Sequence, residues 1–181
     1  STMTWKLVKQ IVHDDALRKS FIDLAIKTFD LSFKEWYRKG YWTDAYIPYA
    51  LVSNNKVIAN ASANIIDLIW QGEPRRYIQI GTVMTDIDHR NKGLAGQLVR
   101  QILADWQDKA DAFFLFANPT TVDFYPKFGF ERTAEHQYIM PVVAVAGDFR
   151  KLDMDQSADV ALLQRYYQKS NPFSQLRVQD N

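Results

Sequence analysis

The sequence predicts a mixed α/β (α+β) fold, a sheet flanked by helices. Three observations carry that reading. Apolar patterns of period two and of period 3.6 alternate along the 181 residues in the order β-α-α-β-β-β-α-β-α-β. Turn-forming residues punctuate the strand-rich middle of the chain at Asn54-Asn55 and at Gln71-Gly72-Glu73-Pro74. A loop of small and basic residues then joins a strand directly to an amphipathic helix.

Taken in order, Trp5–Val12 reads as the first strand. Asp14 or Asp15 caps a helix that places Leu17, Phe21, Leu24, Ala25 and Thr28 on one face. A second short helix covers Ser32–Lys39 and ends at Gly40. Trp36, Tyr37, Tyr41, Trp42, Tyr46 and Tyr49 crowd the next stretch, and core and lid packing is the expected use of these aromatics, ahead of a dedicated substrate platform. Tyr49–Ser53 and Lys56–Ile69 form a hairpin around Asn54-Asn55, a pair tolerant of left-handed geometry. Arg76–Thr85 returns as a strand, and Leu98, Val99, Ile102, Leu103 and Trp106 give helical spacing after the loop. The fully apolar Ala112–Ala117 has the pattern of a buried central or parallel strand. Pro119 suits the first turn of a helix running to about Lys127, and Phe130–Pro141 is a further strand.

Composition bounds the function. The chain is 47% hydrophobic and 24% charged, ordinary for a globular domain with a substantial core. A formal net charge of +1 argues against nucleic acid as a partner. Neither a membrane span of about 20 apolar residues nor a signal-peptide core is legible, so no membrane partner is expected and the expected location is the cytoplasm. With no Cys there is no disulfide, thiolate nucleophile or Cys-type metal site.

The most informative stretch is Ile80–Leu103. A loop, Arg90-Asn91-Lys92-Gly93-Leu94-Ala95-Gly96, opens a helix there. Small residues at a helix start present unpaired backbone N–H groups and the positive end of the helix dipole, which together make an anion site. Arg90 and Lys92 add charge suited to a di- or polyphosphate. A P-loop is excluded because no Lys-Ser or Lys-Thr follows the glycines, and no window supplies G-x-G-x-x-G.

What does stand here is R-x-x-G-x-A, Arg90 through Ala95. It resembles the acetyl-CoA pyrophosphate loop of the GNAT family of N-acetyltransferases. That family carries a second signature, and Phe124-Tyr125-Pro126-Lys127-Phe128-Gly129-Phe130 is similar to it, preceded by Asn118. The resemblance runs along the chain from end to end. It implies the GNAT acyl-CoA N-acyltransferase fold: a central, mixed but mostly antiparallel sheet, splayed at the cofactor site and flanked by helices. It further implies acetyl-CoA as co-substrate, no metal, and acetyl transfer to a primary amine by direct attack in a ternary complex. Val83, Met84 and Thr85 match the strand end that pairs with the pantetheine arm, where a backbone N–H, of Val83 or Met84, polarises the acetyl carbonyl. Tyr125 matches the general acid, a phenol protonated at neutral pH and able to donate to the departing thiolate. Asn118 matches a position that bonds the pantetheine. Several family members place a Glu base where this chain has Gln79, which accepts no proton at working pH. Asp86, Asp88 and His89 sit in the turn, and for His89 a surface or capping role outweighs catalysis. Without Cys or G-x-S-x-G, a covalent acetyl-enzyme is not expected.

The alternative from another class is a catalytically silent acetyl-CoA-binding module, a sensor or structural element. The acceptor is an open choice among a small-molecule amine, a peptide N-terminus and a protein lysine; Glu35 and Asp44 are candidates to orient a cationic amine. Residues 3–141 form the expected acetyltransferase domain. Residues 142–181 form an extension with one helix, bearing Val160, Leu163, Tyr166 and Tyr167 on one face. That helix is either a docking element, a homodimer element, or the start of a longer region.

Overall fold

Two tight turns fold the middle of the chain into a meander. In the computed structural model, which describes residues 4–116, 125–129, 131–134 and 137–141, these turns join β2 (Tyr46–Ser53), β3 (Lys56–Trp70) and β4 (Glu73–Thr85). Asn54 and Asn55 have φ of 51° and 60°, and Gln71 and Gly72 have 50° and 80°. Both central residues of each turn are left-handed, as a two-residue hairpin in a twisted sheet demands. The other elements are β1 (Lys6–Lys9), α1 (Asp15–Phe29), α2 (Lys34–Arg38), α3 (Leu94–Trp106), β5 (Ala112–Phe116), β6 (Glu131–Ala134) and β7 (Gln137–Pro141). Short 3-10 turns span Ile87–His89 and Tyr125–Phe128. Among the described residues no helix is long and apolar enough to cross a membrane.

The described residues fall into two compact units, with β3, β4 and α3 running through both. The first holds Ser1–Ala63 and Thr82–Ile102, with strand order β1-β2-β3-β4. β1 is antiparallel to β2, Lys6 opposite Val52 and Lys9 opposite Tyr49. The expected strand to Val12 stops at Lys9 because Gln10 turns left-handed (φ 56°) while its amide nitrogen donates to the Tyr46 carbonyl at 2.9 Å. Ile11 and Val12 are thereby freed to enter the core. Asp14 is the cap of α1, accepting from the Leu17 N–H at 3.0 Å, and Asp15 pairs with Arg18. The predicted face of α1 buries Leu17, Phe21, Leu24 and Ala25. They meet a knot of rings: Phe21 lies 5.1 Å from Phe33 and 5.2 Å from Trp42, and Tyr46 lies 5.2 Å from Trp36 in T-shaped contact. Trp36, Trp42, Tyr46 and Tyr49 are therefore core, as expected, while Tyr37 and Tyr41 stay exposed.

The second unit holds Asn64–Gly81 and the described residues of Leu103–Ser170, with order β3-β4-β5-β7-β6. β5 lies parallel to β4, with Tyr77 opposite Ala112 and Gln79 opposite Phe114. Asp111 anchors the start of that ladder: its N–H donates to the Arg76 carbonyl at 2.7 Å, and its carboxylate accepts from the Arg76 N–H at 2.6 Å. β7 is antiparallel to β5 and to β6. The mixed, mostly antiparallel sheet is as expected, with one correction. Phe130–Pro141 is not one strand but a hairpin, Arg132 facing Tyr138 and Ala134 facing Gln137. No Gly, Pro or Asn marks the reversal, so the run reads as continuous. Of the helix expected over Pro119–Lys127, the described part, from Tyr125, is a 3-10 turn. The C-terminal helix and all of 142–181 lie outside the described residues.

Phe21 is fully buried at the centre of the ring cluster. Phe21→Ala is expected to remove about 3–5 kcal/mol of stability in urea unfolding; a loss below about 1 kcal/mol would show that the cluster does not hold the first unit.

Candidate functional site

The site begins with an interruption in β4. Among the described residues the ladder with β5 ends at Gln79 opposite Phe114, yet β4 continues to Thr85. Just beyond the last pair, Thr82 takes φ of 49°. Left-handed backbone inside a strand is bulge geometry, which inserts a residue and leaves a peptide out of the ladder. For a β-branched residue it costs about 1–3 kcal/mol and persists only where its surroundings over-determine it. They do so here. The Thr82 hydroxyl lies 2.6 Å from the Tyr46 hydroxyl, and the Thr82 carbonyl accepts from Asn60 Nδ2 at 3.0 Å, all three residues being buried.

Past the bulge, Val83 and Thr85 are half-buried while the Met84 side chain joins the core of the first unit. The chain then turns. Asp86 accepts from the Asp88 N–H at 2.9 Å and caps the 3-10 turn, and its own N–H donates to the Ile58 carbonyl at 2.8 Å. His89 closes that turn with an N–H to the Asp86 carbonyl at 2.9 Å, its ring 3.7 Å from the Asp86 carboxylate. The His89 side chain is largely buried at the end of that turn, and the cap is Asp86 rather than His89.

The loop follows at once. Arg90 is extended (φ −72°, ψ 161°), and Asn91 and Gly93 are left-handed at 64° and 73°. These residues carry the chain from the 3-10 turn into the start of α3. The first intrahelical bond runs from the Gln97 N–H to the Gly93 carbonyl. The N–H groups of Leu94, Ala95 and Gly96 precede it and have no acceptor within the helix. A Cβ added at Gly93 would meet nothing within 4 Å, so the space before the loop is open. Arg90, Asn91, Lys92 and Gly93 are exposed around it, whereas Leu94 and Gly96 are buried and seat the helix. Arg90 Nε also donates to the Thr85 carbonyl at 3.2 Å, tying the loop to the end of β4. Local chemistry thus joins the expected phosphate loop and the expected pantetheine strand.

Gln79 is buried, and its amide is turned back on its own strand, donating to the Ile80 carbonyl at 3.0 Å. Gly81, on the same face, leaves it that room: a Cβ there would lie 2.6 Å from Gln79 Nε2. Of the other sequence candidates, Glu35 pairs with Arg38, and Asp44 is exposed. Tyr125 opens its 3-10 turn in the second unit; its side chain, and all of Asn118, lie outside the described residues. Sequence reading gave Tyr46 a packing role and passed over Thr82 and Asn60. The signal available was Gly81 inside a strand pattern, a common mark of a bulge.

A family model described as an acetyltransferase (GNAT) domain matches residues 15–133. The chain belongs to the GNAT acetyltransferase family. No curated protein matches the sequence. Several solved structures share the GNAT fold. A GNAT family N-acetyltransferase of Escherichia coli in complex with CoA superposes with a TM-score of 0.60 at 18% identity, over 80% of this chain and 84% of that one. A GNAT family acetyltransferase of Brucella melitensis in complex with acetyl-CoA gives 0.56 at 15% identity, over 77% and 89%. A probable N-acyltransferase of Enterococcus faecalis gives 0.60 at 20% identity over 72% of this chain, which spans only 33% of that longer protein.

The packing of Gln79 against Gly81 is testable. Gly81→Ala should push the Gln79 amide off the Ile80 carbonyl and destabilise by about 0.5–1.5 kcal/mol, the worth of one hydrogen bond. Gln79→Ala should recover part of that loss in the double variant. Purely additive effects in a double-mutant cycle would mean that the two positions do not touch.

Proposed function

We propose that this chain is an acetyl-CoA-dependent N-acetyltransferase acting on a primary amine. The observation that carries the reading is the loop Arg90–Gly96 at the start of α3. Its left-handed Asn91 and Gly93 and its row of N–H groups opening α3 fit a pyrophosphate, with Arg90 and Lys92 beside it. The solved GNAT relatives with CoA and acetyl-CoA support the choice of that ligand over other diphosphates. The bulge at Thr82 supports a role for the Val83 or Met84 N–H in polarising the thioester carbonyl, with Val83–Thr85 pairing along the pantetheine.

In this mechanism the amine attacks the acetyl carbonyl directly. The developing oxyanion rests on backbone N–H, and Tyr125 protonates the departing CoA thiolate, a role carried by its place in the family signature. Gln79 neither takes the amine's proton nor is aimed to, so water or the bulk carries that proton away. Asn118 is assigned to the pantetheine arm. The unit that performs this is residues 3–141, with 142–181 as an extension.

The committed amide of Gln79 also favours a second reading, a module that binds acetyl-CoA without turning it over. Turnover measured over a panel of small amines, peptide N-termini and lysine peptides separates the two. An amine-dependent rate that falls about 10²–10⁴-fold in Tyr125→Phe, with acetyl-CoA affinity kept, is the expected result. Tight binding without turnover on any amine favours the module. Gly93→Asp and Ala95→Glu put a carboxylate against the phosphates and should abolish binding in calorimetry while the fold stays intact. Unchanged affinity in the folded variants would remove this loop as the phosphate site.

A further inference from the structure

We infer that Tyr46 and Asn60 are positioning residues for acetyl transfer, clamping Thr82 so that the backbone N–H groups after it face the thioester carbonyl. The inference rests on the acetyl-transfer reading above.

Among the described residues the non-glycine positions with positive φ are Gln10, Asp30, Asn54, Asn55, Gln71, Thr82 and Asn91. Six of the seven are polar residues in turns, caps or loops, where left-handed backbone is cheap. Thr82 alone in this set is β-branched and lies inside a strand. A glycine would adopt that conformation without strain. The chain instead carries a side chain there, and its hydroxyl is used.

Two strands reach that residue. From β2 comes the Tyr46 hydroxyl, 2.6 Å from Thr82 Oγ1. The phenol ring cannot swing away: it stacks on Phe33 and packs edge-on against Trp36 and Trp42, with centroids 6.1, 5.2 and 5.6 Å away. From β3 comes Asn60, whose amide nitrogen donates one hydrogen to the Thr82 carbonyl and one to Ser62 Oγ, each at 3.0 Å. A carbonyl only accepts, so the amide nitrogen has to face it, and the orientation of Asn60 is determined. Its Oδ1 is left buried with no hydrogen-bond partner among the described residues, a cost of holding the amide this way round.

Side chain and carbonyl of one residue are thus held from two directions in a buried setting. Held at both ends, Thr82 has its backbone rotation determined, and that rotation aims the peptide leading to Val83. Donors aimed in advance at developing charge are what backbone polarisation of a carbonyl requires. Neither Tyr46 nor Asn60 needs to touch the substrate.

The test uses acetyl-CoA labelled with carbon-13 at the thioester carbonyl. Infrared difference spectra of the full-length protein report polarisation as a lowered carbonyl frequency in the bound state. Tyr46→Phe, which removes one oxygen, should return that frequency toward the value of free acetyl-CoA and lower kcat on the best amine about 10–100-fold, as a small misplacement does. The Kd for acetyl-CoA should change less than about threefold, because the phosphate loop sets it. Thr82→Val cuts the same tether from its other end and serves if Tyr46→Phe does not fold, whereas Thr82→Ser keeps the hydroxyl and should keep the frequency. In a Thr82→Gly background, where left-handed backbone carries no strain, adding Tyr46→Phe should cost less than about threefold.

Folded Tyr46→Phe and Thr82→Val proteins with an unchanged bound frequency would overturn the clamp and leave the acetyl-transfer reading standing. A wild type that binds no acetyl-CoA would overturn that reading and the clamp together. One that binds without any carbonyl shift would overturn backbone polarisation, and with it the clamp.

Discussion

β4 meets opposing demands within a few residues. Up to Gln79 it pairs in parallel with β5, and beyond the last pair it turns left-handed at Thr82 before running on to Thr85 and the loop that opens α3. A strand left to its own preferences extends the ladder, since every unpaired buried N–H costs free energy. Thr82 departs from that preference, and Tyr46 and Asn60 hold it where it does. That residue sits where β4 passes from its pairs with β5 to the run that leads into the loop before α3.

The hold is only as firm as its supports, which explains why so many large rings lie nearby. Phe21, Phe33, Trp36 and Trp42 surround Tyr46 in edge-on, tilted and stacked contacts and fix a side chain whose polar tip does the holding. Buried aromatic pairs add specific geometry to a large burial of apolar surface. Beyond stability, they supply a rigid base for a hydroxyl whose placement matters on the scale of a hydrogen bond. Small residues serve the opposite purpose. Gly81 makes room for the Gln79 amide, and Gly93 supplies left-handed backbone where the space ahead must stay open.

Electrostatics in the loop are local. The chain's net charge is +1, so little long-range attraction draws an anion toward it. In the proposed reading the attraction comes instead from Arg90, Lys92 and the positive end of α3. Arg90 serves twice, since its Nε also binds the Thr85 carbonyl and couples the loop to the strand. A diphosphate seated in the loop would thereby bear on the end of β4.

Local rules made much of this protein legible in its sequence. The cap of α1, the Asn54-Asn55 turn, the amphipathic face of α1, the buried β5 and the loop before α3 depend on neighbours within about four residues, so short-range patterns carry them, whereas Glu73 and Pro74, read as turn, open β4. The GNAT signatures are equally local, and the family was readable for that reason. The reversal between β6 and β7 was not, because no turn residue marks it; the pairing of β7 with β5 supplies the reason for it. The shortening of β1 likewise depends on Gln10 finding the Tyr46 carbonyl, 36 residues away. Most of all, nothing in the string Ile80-Gly81-Thr82-Val83 says that Thr82 is left-handed. That conformation is unfavourable for threonine alone and exists because a tyrosine 36 residues and an asparagine 22 residues earlier meet it in the folded sheet. Sequence determines what is cheap locally, whereas a strained residue is decided by partners that only the tertiary structure brings within reach.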